Sequence, residues 1–315
     1  MATVVVTGGA GFIGANVVRG LLAEGYQVAV FDNFSTGREE HLADLGTEVK
    51  IIRGDVREPA ALAQAFTGAD AVLHYAAARA VNKSVVQPEE THAVNASGTF
   101  NVLQAARLAG VQRVVLASTS AVYGSPTDTT LFTEELLPAP VSPYAAAKLA
   151  GEAYCQAFSA SYGLETVILR LFNVYGPWQH SEGEYSLVVP IFLERLLNNQ
   201  APEIHGTGEQ SRDFVFTADV VAANILALQR EKPLLGEVYN IGSGQATSVQ
   251  HVFDTIQQQL GTTIEPQRGP ARAGDVPHTC ADISKAQREL GYAPAHDFAS
   301  GIAASIEDYQ SRRVS

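Results

Sequence analysis

The sequence has few of the residues on which disulfide-bonded, metal-binding and membrane proteins depend. Its 315 residues include only two cysteines, Cys155 and Cys280, which cannot build a disulfide framework or a cysteine metal cluster. The eight histidines show no H-E-x-x-H pairing, so we expect no protein-bound metal. No apolar run approaches the roughly 20 residues of a membrane-spanning helix, and the first residues lack a signal-peptide pattern. We therefore expect a cytoplasmic protein that has no membrane partner.

Basic residues are also scarce. The chain has 21 Lys and Arg against 33 Asp and Glu, which gives a formal net charge of −12. No basic stripe is present to neutralise the phosphates of a nucleic acid, so nucleic-acid binding is disfavoured. A small anionic ligand would have to be held by a few arginines and by backbone N–H groups.

Short β-branched runs alternate with longer helical patterns along the first half of the chain. Near-continuous apolar strands are typical of a sheet that is buried on both faces, so the alternation predicts an α/β fold with a Rossmann-type, doubly wound parallel sheet. The predicted strands are Val4–Thr7, Val28–Asp32, Val49–Gly54, Ala71–Ala76, Val114–Ser118 and Val167–Phe172, and the predicted helices are Phe12–Glu24, Pro59–Phe66, Pro88–Leu108 and Pro143–Tyr162.

After about Tyr175 the pattern changes to longer loops and isolated helices, with one more strand pattern at Val238–Ile241. This change predicts a second, smaller lobe. We expect a dinucleotide-binding domain over residues 1–175, with returning segments near 213–242. A smaller α/β substrate domain is expected mainly over residues 176–315.

A glycine-rich loop directly follows the first predicted strand. Gly9, Gly11 and Gly14 give the G-x-G-x-x-G spacing, and Gly8 begins a second series with a glycine at every third position. Glycine allows a tight turn and a close approach of the backbone to a pyrophosphate. The following helix aims its N–H groups and the positive end of its dipole at that charge. The strand before and the helix after the loop therefore predict a dinucleotide site.

Asp32 ends the second predicted strand, eighteen residues after Gly14. A carboxylate at this place accepts both adenosine ribose hydroxyls and repels a 2′-phosphate, which favours NAD over NADP. Arg38 argues in the other direction, because an arginine near this position can accept a 2′-phosphate. Asp55, after the third strand, has two interpretations: it meets the adenine edge, or it caps the next turn.

A second motif opens the helix predicted at Pro143–Tyr162. Ser142 is its expected N-cap and Pro143 its first helical residue. Tyr144 and Lys148 are four positions apart, so both side chains fall on one helix face. A cation this close favours the phenolate, and we expect it to lower the pKa of Tyr144 toward neutrality and make a usable base.

A cluster of hydroxyl side chains, Ser118-Thr119-Ser120, ends the fifth predicted strand. Ligands of open parallel sheets bind at such strand ends. Either Thr119 or Ser120 can therefore bridge a substrate hydroxyl and Tyr144. The Y-x-x-x-K spacing alone is a common surface pattern, and it predicts a catalytic pair because the glycine-rich loop and these hydroxyls accompany it.

Seven segments of the chain, taken in order, resemble one family, the extended short-chain dehydrogenases/reductases of the NAD-dependent epimerase/dehydratase type. The resemblance runs through essentially the whole chain and is closest to the UDP-glucose and UDP-N-acetylglucosamine 4-epimerases. One departure is Ala147, where the family usually has serine before the lysine, and we expect it to affect packing more than chemistry. The segments are TGGAGFIG, FDNFSTG, STSAVYG, SPYAAAK, RLFNVYGP, RDFVFTADV and RAGD.

The resemblance implies that Tyr144 is the base, that Lys148 binds the nicotinamide ribose and tunes the tyrosine, and that Thr119 hydrogen-bonds the sugar, with Ser120 beside it. It makes the second lobe a nucleotide-sugar-binding domain. The implied substrate contacts are Asn173, Arg212, Arg272, Asp275 and Thr279, of which Arg272 resembles a diphosphate clamp and Asp275 a ribose ligand. The predicted NAD contacts are Gly8, Gly11, Phe12, Ile13, Gly14, Asp32, Asn33, Ser35, Thr36, Gly37, Asp55, Val56, Ala76, Ala78, Arg79, Asn95, Tyr144 and Lys148.

Fold and cofactor do not decide the reaction, because this family runs several chemistries through one 4-keto intermediate. Its 4,6-dehydratases have Asp-Glu where this chain has Ser120 and Ala121, and its decarboxylases have glutamate at Ala121. Relatives that act on glucuronate carry arginine where this chain has His180, which disfavours that substrate and leaves it open. The expected reaction is 4-epimerisation of a UDP-hexose with tightly bound NAD.

Thr279 is the residue from which we predict the choice of sugar. It lies seven residues after Arg272, where a tyrosine in relatives excludes N-acetyl groups and a small residue admits them. We also expect a homodimer formed through Pro88–Leu108 and Pro143–Tyr162, mainly by resemblance. The alternatives left open are a reductase or synthase of the same family that consumes NADPH and, outside enzymes, a Rossmann module that senses the redox state of NAD.

Overall fold

The computed structural model describes residues 1–79, 81–126, 131–181, 187–271 and 277–314. The strands of the described chain are β1 (Thr3–Thr7), β2 (Gln27–Asp32), β3 (Val49–Arg53), β4 (Ala71–His74), β5 (Arg113–Thr119), β6 (Leu131–Phe132), β7 (Glu165–Leu171), β8 (Asn173–Tyr175), β9 (Glu203–His205), β10 (Ser211–Phe216), β11 (Leu235–Ile241), β12 (Ala246–Ser248), β13 (Gln267–Gly269) and β14 (Cys280–Ala281).

Helices precede or follow most of these strands. They are α1 (Phe12–Ala23), α2 (Pro59–Ala65), α3 (Val81–Val86), α4 (Pro88–His92), α5 (Gly98–Ala109), α6 (Pro143–Tyr162), α7 (Val188–Leu197), α8 (Thr217–Gln229), α9 (Val249–Leu260), α10 (Ser284–Leu290) and α11 (Phe298–Val314). Among the described residues, no helix combines the length and the apolar character needed to cross a membrane.

Seven strands form the central sheet in the order β11-β7-β5-β4-β1-β2-β3. Every neighbouring pair in it is parallel. The strand order reverses between β1 and β4, and the carboxyl ends of these strands border the crevice where ligands of such sheets bind. The predicted α/β fold with a Rossmann-type doubly wound sheet is therefore confirmed. The strand near Val238 lies at one edge of this sheet as β11.

The helix predicted at Pro88–Leu108 is not continuous. Between α4 and α5 the segment Ala93–Ser97 forms a π-helical turn. This turn carries Asn95, whose amide bonds the backbone of Ala78 across the molecule. A tertiary contact therefore accompanies the interruption of the predicted helix. Such π-helical turns are frequent at functional sites.

Buried apolar side chains form three clusters. Two of them contain alternate residues of the central strands, such as Val4 and Val6 in one and Val5 in the other, and so cover the two faces of the sheet. A third is built from α7, α9, α11 and β10 around Tyr175 and Phe192. The boundary near residue 175 remains a prediction, and this third cluster is the core that a second lobe would have.

Candidate active site

The glycine-rich loop joins β1 to α1 at the carboxyl edge of the sheet. Gly8 has a φ of 70°, and a Cβ there would lie 2.4 Å from the backbone nitrogen of Ala76. A Cβ on Gly14 would lie 2.2 Å from the carbonyl oxygen of Gly8. Both positions therefore require glycine, since the backbone of the loop passes too close to its neighbours for any side chain.

Helix α1 starts from this loop with Gly11 at its N-cap and no side-chain cap. Its first-turn amides, which include those of Ile13 and Gly14, have no acceptor within the helix. These N–H groups and the positive end of the helix dipole suit an anion at the loop. We call the loop over Gly8–Gly14 with the first turn of α1 the glycine-rich cradle. Its close backbone contacts exclude side chains, and its free amides fit the pyrophosphate of a dinucleotide.

Asp32 lies beside this cradle at the end of β2 and is almost fully buried. Its carboxylate accepts hydrogen bonds from the backbone nitrogen of Ala10 at 2.9 Å and from that of Phe34 at 2.8 Å. Each oxygen keeps a lone pair for a further donor, as a ribose-binding residue needs. Arg38 forms an ion pair with Glu40 at 3.2 Å, so its guanidinium has a carboxylate partner near the predicted ribose position.

Asp55 behaves as a turn residue in the described structure. It accepts a hydrogen bond from the backbone nitrogen of Arg57 at 2.9 Å, forms an ion pair with the Arg57 guanidinium at 2.6 Å and accepts a bond from Asn33 at 2.8 Å. The Arg57 guanidinium holds the pKa of this carboxyl well below its ordinary value. These contacts favour the turn-capping interpretation, and they fix Asn33 next to Asp55.

The segment after β4 is held by Asn95. The side-chain oxygen of Asn95 accepts from the Ala78 nitrogen at 2.8 Å, and its amide donates to the Ala78 carbonyl at 3.0 Å. Ala76 lies against Gly8, as described above, and Arg79 is exposed. Asn95 therefore positions this segment against the glycine-rich loop, and its direct contact with NAD stays a prediction.

The predicted catalytic pair lies at the start of α6. Ser142 caps the helix by accepting from the Ala145 nitrogen at 3.1 Å, and the helix has the predicted bounds. Tyr144 is half-buried and makes a side-chain hydrogen bond with Thr119 at the end of β5. Thr119 also accepts from the Ala121 nitrogen at 3.2 Å. The hydroxyls expected to share a substrate proton are thus in contact.

The expected pKa of Tyr144 needs correction. Burial raises the pKa of Tyr144 above its ordinary value, and the hydrogen bond from Thr119 offsets this only in part. Lys148 does not supply the predicted effect, because its ammonium donates to the Ala117 carbonyl at 2.6 Å and burial lowers its own pKa to about 8. The structure therefore places the lysine in the right region but gives the phenol no compensating charge.

The predicted substrate residues lie on β8, β10 and the segment before β14. Asn173 pairs with Phe214 where β8 meets β10. Arg212 follows Ser211 on β10, and the Ser211 carbonyl accepts from the Thr279 nitrogen at 3.1 Å, so Thr279 lies close to Arg212. Arg272 and Asp275 lie outside the described residues.

Comparison with known proteins agrees with this geometry. Residues 4–242 match the NAD dependent epimerase/dehydratase family. The chain belongs to this family. A UDP-glucose 4-epimerase of Mycolicibacterium smegmatis is 37% identical over 313 residues, which cover 98% of each chain.

Two solved structures of the family also match nearly the whole chain. A UDP-glucose 4-epimerase of Thermotoga maritima, solved with UDP-glucose, has a TM-score of 0.93 and 35% identity over 99% of each chain. A UDP-N-acetylglucosamine 4-epimerase from Methanobrevibacter ruminantium, in complex with UDP-N-acetylmuramic acid, has a TM-score of 0.93 and 34% identity over 99% of each chain. The chain is thus an NAD-dependent nucleotide-sugar epimerase or a related enzyme of this family.

The sequence did not indicate the charged pair that joins α6 to β7. Glu152 and Arg170 form an ion pair at 2.6 Å with side chains 3% and 4% exposed. Ser118 donates to the same carboxylate, and the charge of Glu152 raises the pKa of Lys148 against the effect of burial. The available signal was Arg170 itself, because a charge in the middle of an apolar strand pattern needs a buried partner.

Proposed function

We propose that this chain is a UDP-hexose 4-epimerase that interconverts the gluco and galacto configurations. The observation that carries the proposal is the contact of Tyr144 with Thr119 beside the glycine-rich cradle, with Lys148 one turn away on the same helix. A hydroxyl pair at the carboxyl edge of a Rossmann sheet suits proton removal from a secondary alcohol. Bound NAD supplies the hydride acceptor and donor in this chemistry.

Tyr144 takes the proton of the sugar 4-hydroxyl, and Thr119 holds that hydroxyl against the phenol. Because burial raises the pKa of Tyr144 in the described structure, the phenol needs added positive charge to act as a base near neutral pH. The Lys148 ammonium, which donates to the Ala117 carbonyl one turn away, would have to turn toward the phenol to supply this charge. After the 4-keto sugar has turned over, the same phenol returns the proton to its C4 oxygen, and the sugar is released with the opposite configuration at C4.

The neighbours of Thr119 favour epimerisation over elimination or decarboxylation. Ser120 and Ala121 begin a short 3₁₀ turn after β5, and neither side chain is a carboxylic acid. Elimination across C5 and C6 needs extra acid and base groups in these positions. A β5 end that carries no carboxylic acid is suited to a reaction in which nothing leaves the sugar.

His180 argues against glucuronate as the preferred substrate. Its ring is bonded to His41 at 2.8 Å and lies 3.4 Å from Arg312, so it is committed to protein contacts. Burial and nearby arginines lower its pKa to about 4. A neutral imidazole with these partners is a poor substitute for an arginine that would bind a carboxylate.

Thr279 supports acceptance of N-acetylated sugars. The side chain is small and half-buried, and its backbone bond to Ser211 places it next to Arg212, a predicted substrate contact. The name of the Methanobrevibacter structure, a UDP-N-acetylglucosamine 4-epimerase with the same fold, supports this interpretation. We therefore propose that UDP-GlcNAc and UDP-GalNAc are substrates along with UDP-glucose and UDP-galactose.

We also propose a homodimer through α5 and α6. Four large side chains on these helices are strongly exposed: Phe100 at 40%, Leu108 at 68%, Tyr154 at 39% and Tyr162 at 58%. Exposed aromatic and aliphatic side chains grouped on two neighbouring helices are typical of a protein interface.

The experiment is a proton NMR time course of the purified protein with UDP-galactose and then with UDP-GalNAc, without added cofactor. We expect gluco-configured anomeric signals to appear, and we expect Tyr144→Phe to abolish them while the folded spectrum is kept. Thr279→Tyr should suppress turnover of the N-acetyl sugar and spare UDP-galactose. No change in either sugar, even with NAD supplied, would refute the 4-epimerase proposal and direct attention to UDP-glucuronate.

A further inference from the structure

Ala10, in the middle of the glycine-rich loop, is held by hydrogen bonds to both its backbone nitrogen and its carbonyl oxygen. Its nitrogen donates to Asp32, and its carbonyl accepts from His41 Nδ1 at 2.7 Å and from the Arg38 nitrogen at 3.0 Å. His41 is almost fully buried. The orientation of the loop that binds the pyrophosphate therefore depends on an imidazole from the segment after β2.

The opposite edge of that imidazole is bonded to a second one. His41 Nε2 lies 2.8 Å from His180 Nε2, and the two rings are tilted by 15° with centroids 5.0 Å apart, so they meet edge to edge. Since His41 Nδ1–H donates to the Ala10 carbonyl, its Nε2 is the acceptor and His180 Nε2–H is the donor.

The bond between the two Nε2 atoms requires at least one ring to be neutral, and the surroundings favour the neutral form of both. Burial lowers the pKa of His41, and burial together with the charges of Arg38 and Arg312 lowers that of His180 to about 4, against a small opposing effect of Glu40. At neutral pH the pair therefore keeps one proton between the two Nε2 atoms. The N–H···N bond is the form that these surroundings favour.

The C-terminal helix α11 fixes the position of His180. Arg312 donates to the Gln179 carbonyl at 3.2 Å, contacts the His180 ring at 3.4 Å and forms an ion pair with Asp308 at 2.6 Å. Asp308 also accepts from the Trp178 nitrogen at 3.1 Å. Trp178 has a φ of 66°, a conformation that a bulky residue adopts only when its surroundings impose it.

Helix α1 binds the same segment from the other side. Asn16 donates to the Pro177 carbonyl at 2.9 Å. Arg19 donates to the His41 carbonyl at 2.7 Å and lies 4.6 Å above the Trp178 ring. The segment 176–180 is thus fixed between the helix that starts at the cofactor loop and the helix that ends the chain.

A metal ion fits this cluster less well than a hydrogen bond. Glu40, His41 and His180 offer three ligand atoms within 4.8 Å of one another. Two nitrogens of a tetrahedral zinc site, each about 2.0–2.1 Å from the ion, are about 3.3 Å apart, whereas these are 2.8 Å apart. Arg38 and Arg312 also lie close by and would repel a cation.

We propose that His41, His180 and Arg312 are positioning residues for NAD. The end of α11 holds the His41–His180 pair, and the pair holds the Ala10 carbonyl so that the amides of the loop converge on the pyrophosphate. The inference rests on the cofactor of the family and does not depend on which sugar reaction the chain performs.

The test measures NAD affinity and the rate of NAD release in His180→Phe and Arg312→Met. Phenylalanine keeps the ring but cannot donate to His41, and loss of one such bond should weaken NAD binding about five- to tenfold. His180→Gln should recover much of the affinity, because its amide N–H can replace the lost donor. His251→Phe, an exposed histidine on α9, is the matched control and should bind NAD normally.

Thermal unfolding of the cofactor-free variants separates positioning from general stability. We expect weaker NAD binding with a cofactor-free melting temperature near that of the unaltered chain. A chain ending at Ser311 provides a second test if His180→Phe fails to fold. Unchanged NAD affinity in both Arg312→Met and the shortened chain would overturn the proposal, and so would a His180→Gln variant that binds NAD as weakly as His180→Phe.

Discussion

Replacing Glu152 with glutamine should destabilise the fold severely, because it leaves the Arg170 guanidinium buried without a counter-charge. The two side chains are 3% and 4% exposed. Removing one partner of a buried ion pair costs about 3–5 kcal/mol. The shape of the side chain and the acceptor for Ser118 are kept in this variant, so the loss of the negative charge is the change being measured.

The assay is equilibrium unfolding in urea, followed by circular dichroism. We expect the midpoint to fall while the dependence of the free energy on urea stays unchanged, which identifies a loss of stability rather than a change in exposed surface. Glu90→Gln is the matched control. Glu90 pairs with Lys83 at 3.0 Å, but these side chains are 46% and 50% exposed, so its loss should cost less than about 1 kcal/mol.

The double variant Glu152→Gln with Arg170→Met tests the explanation. Removing both charges eliminates the buried unpaired guanidinium, and such replacements are often neutral or stabilising. Stability should therefore return most of the way to that of the unaltered chain. If Glu152→Gln costs no more than Glu90→Gln, or if the double variant is as unstable as the single one, the reasoning from burial is wrong.

Two further predictions concern the cofactor loop and acid stability. Gly14→Ala should abolish NAD binding measured by calorimetry, since its Cβ would lie 2.2 Å from a loop carbonyl. Gly25→Ala should lose some stability because the φ of Gly25 is 80°, but it should bind NAD normally, since no atom lies within 4 Å of its Cβ. Burial lowers the pKa of His74 to about 3 from 6.5, so only the unfolded chain takes up this proton between these values, and stability falls as the pH drops below 6.5. In His74→Gln the free energy of unfolding should depend less steeply on pH in this range, by up to about 1.4 kcal/mol per pH unit. Urea titrations at several pH values measure this slope.

The central sheet could be predicted because its strands are marked locally. Buried parallel strands need continuous apolar runs, and the runs at Val4–Thr7 and Val167–Phe172 gave strands close to the observed β1 and β7. The helix predicted at Pro143–Tyr162 has the observed bounds, since Ser142 and Pro143 mark its start and Gly163 its end. Apolar runs and capping residues within each segment determine these elements, so a single sequence is enough to predict them.

The continuous helix predicted at Pro88–Leu108 was wrong because a tertiary contact interrupts it. Nothing in the apolar spacing of Pro88–Leu108 indicates a π-turn, because the turn exists to bring Asn95 to Ala78, seventeen residues away in the chain. The predicted lowering of the pKa of Tyr144 was wrong for a related reason. Its spacing from Lys148 was correct, but the direction of the lysine ammonium is decided by the Ala117 carbonyl on another element.

The residues that perform chemistry and those that hold them in place therefore differ in how they can be predicted. The proposed reacting groups Tyr144 and Lys148 share one helix face, and their spacing is a fixed consequence of helix geometry. Supporting contacts have no fixed spacing: His41 meets His180 across 139 positions, and Asp213 accepts from the Ala281 nitrogen across 68. The one trace that such partners leave in a single sequence is a polar residue in an apolar pattern, as with Arg170 in β7 or Asp213 in β10. Such a residue predicts that a buried partner exists, but the tertiary fold decides which residue that partner is.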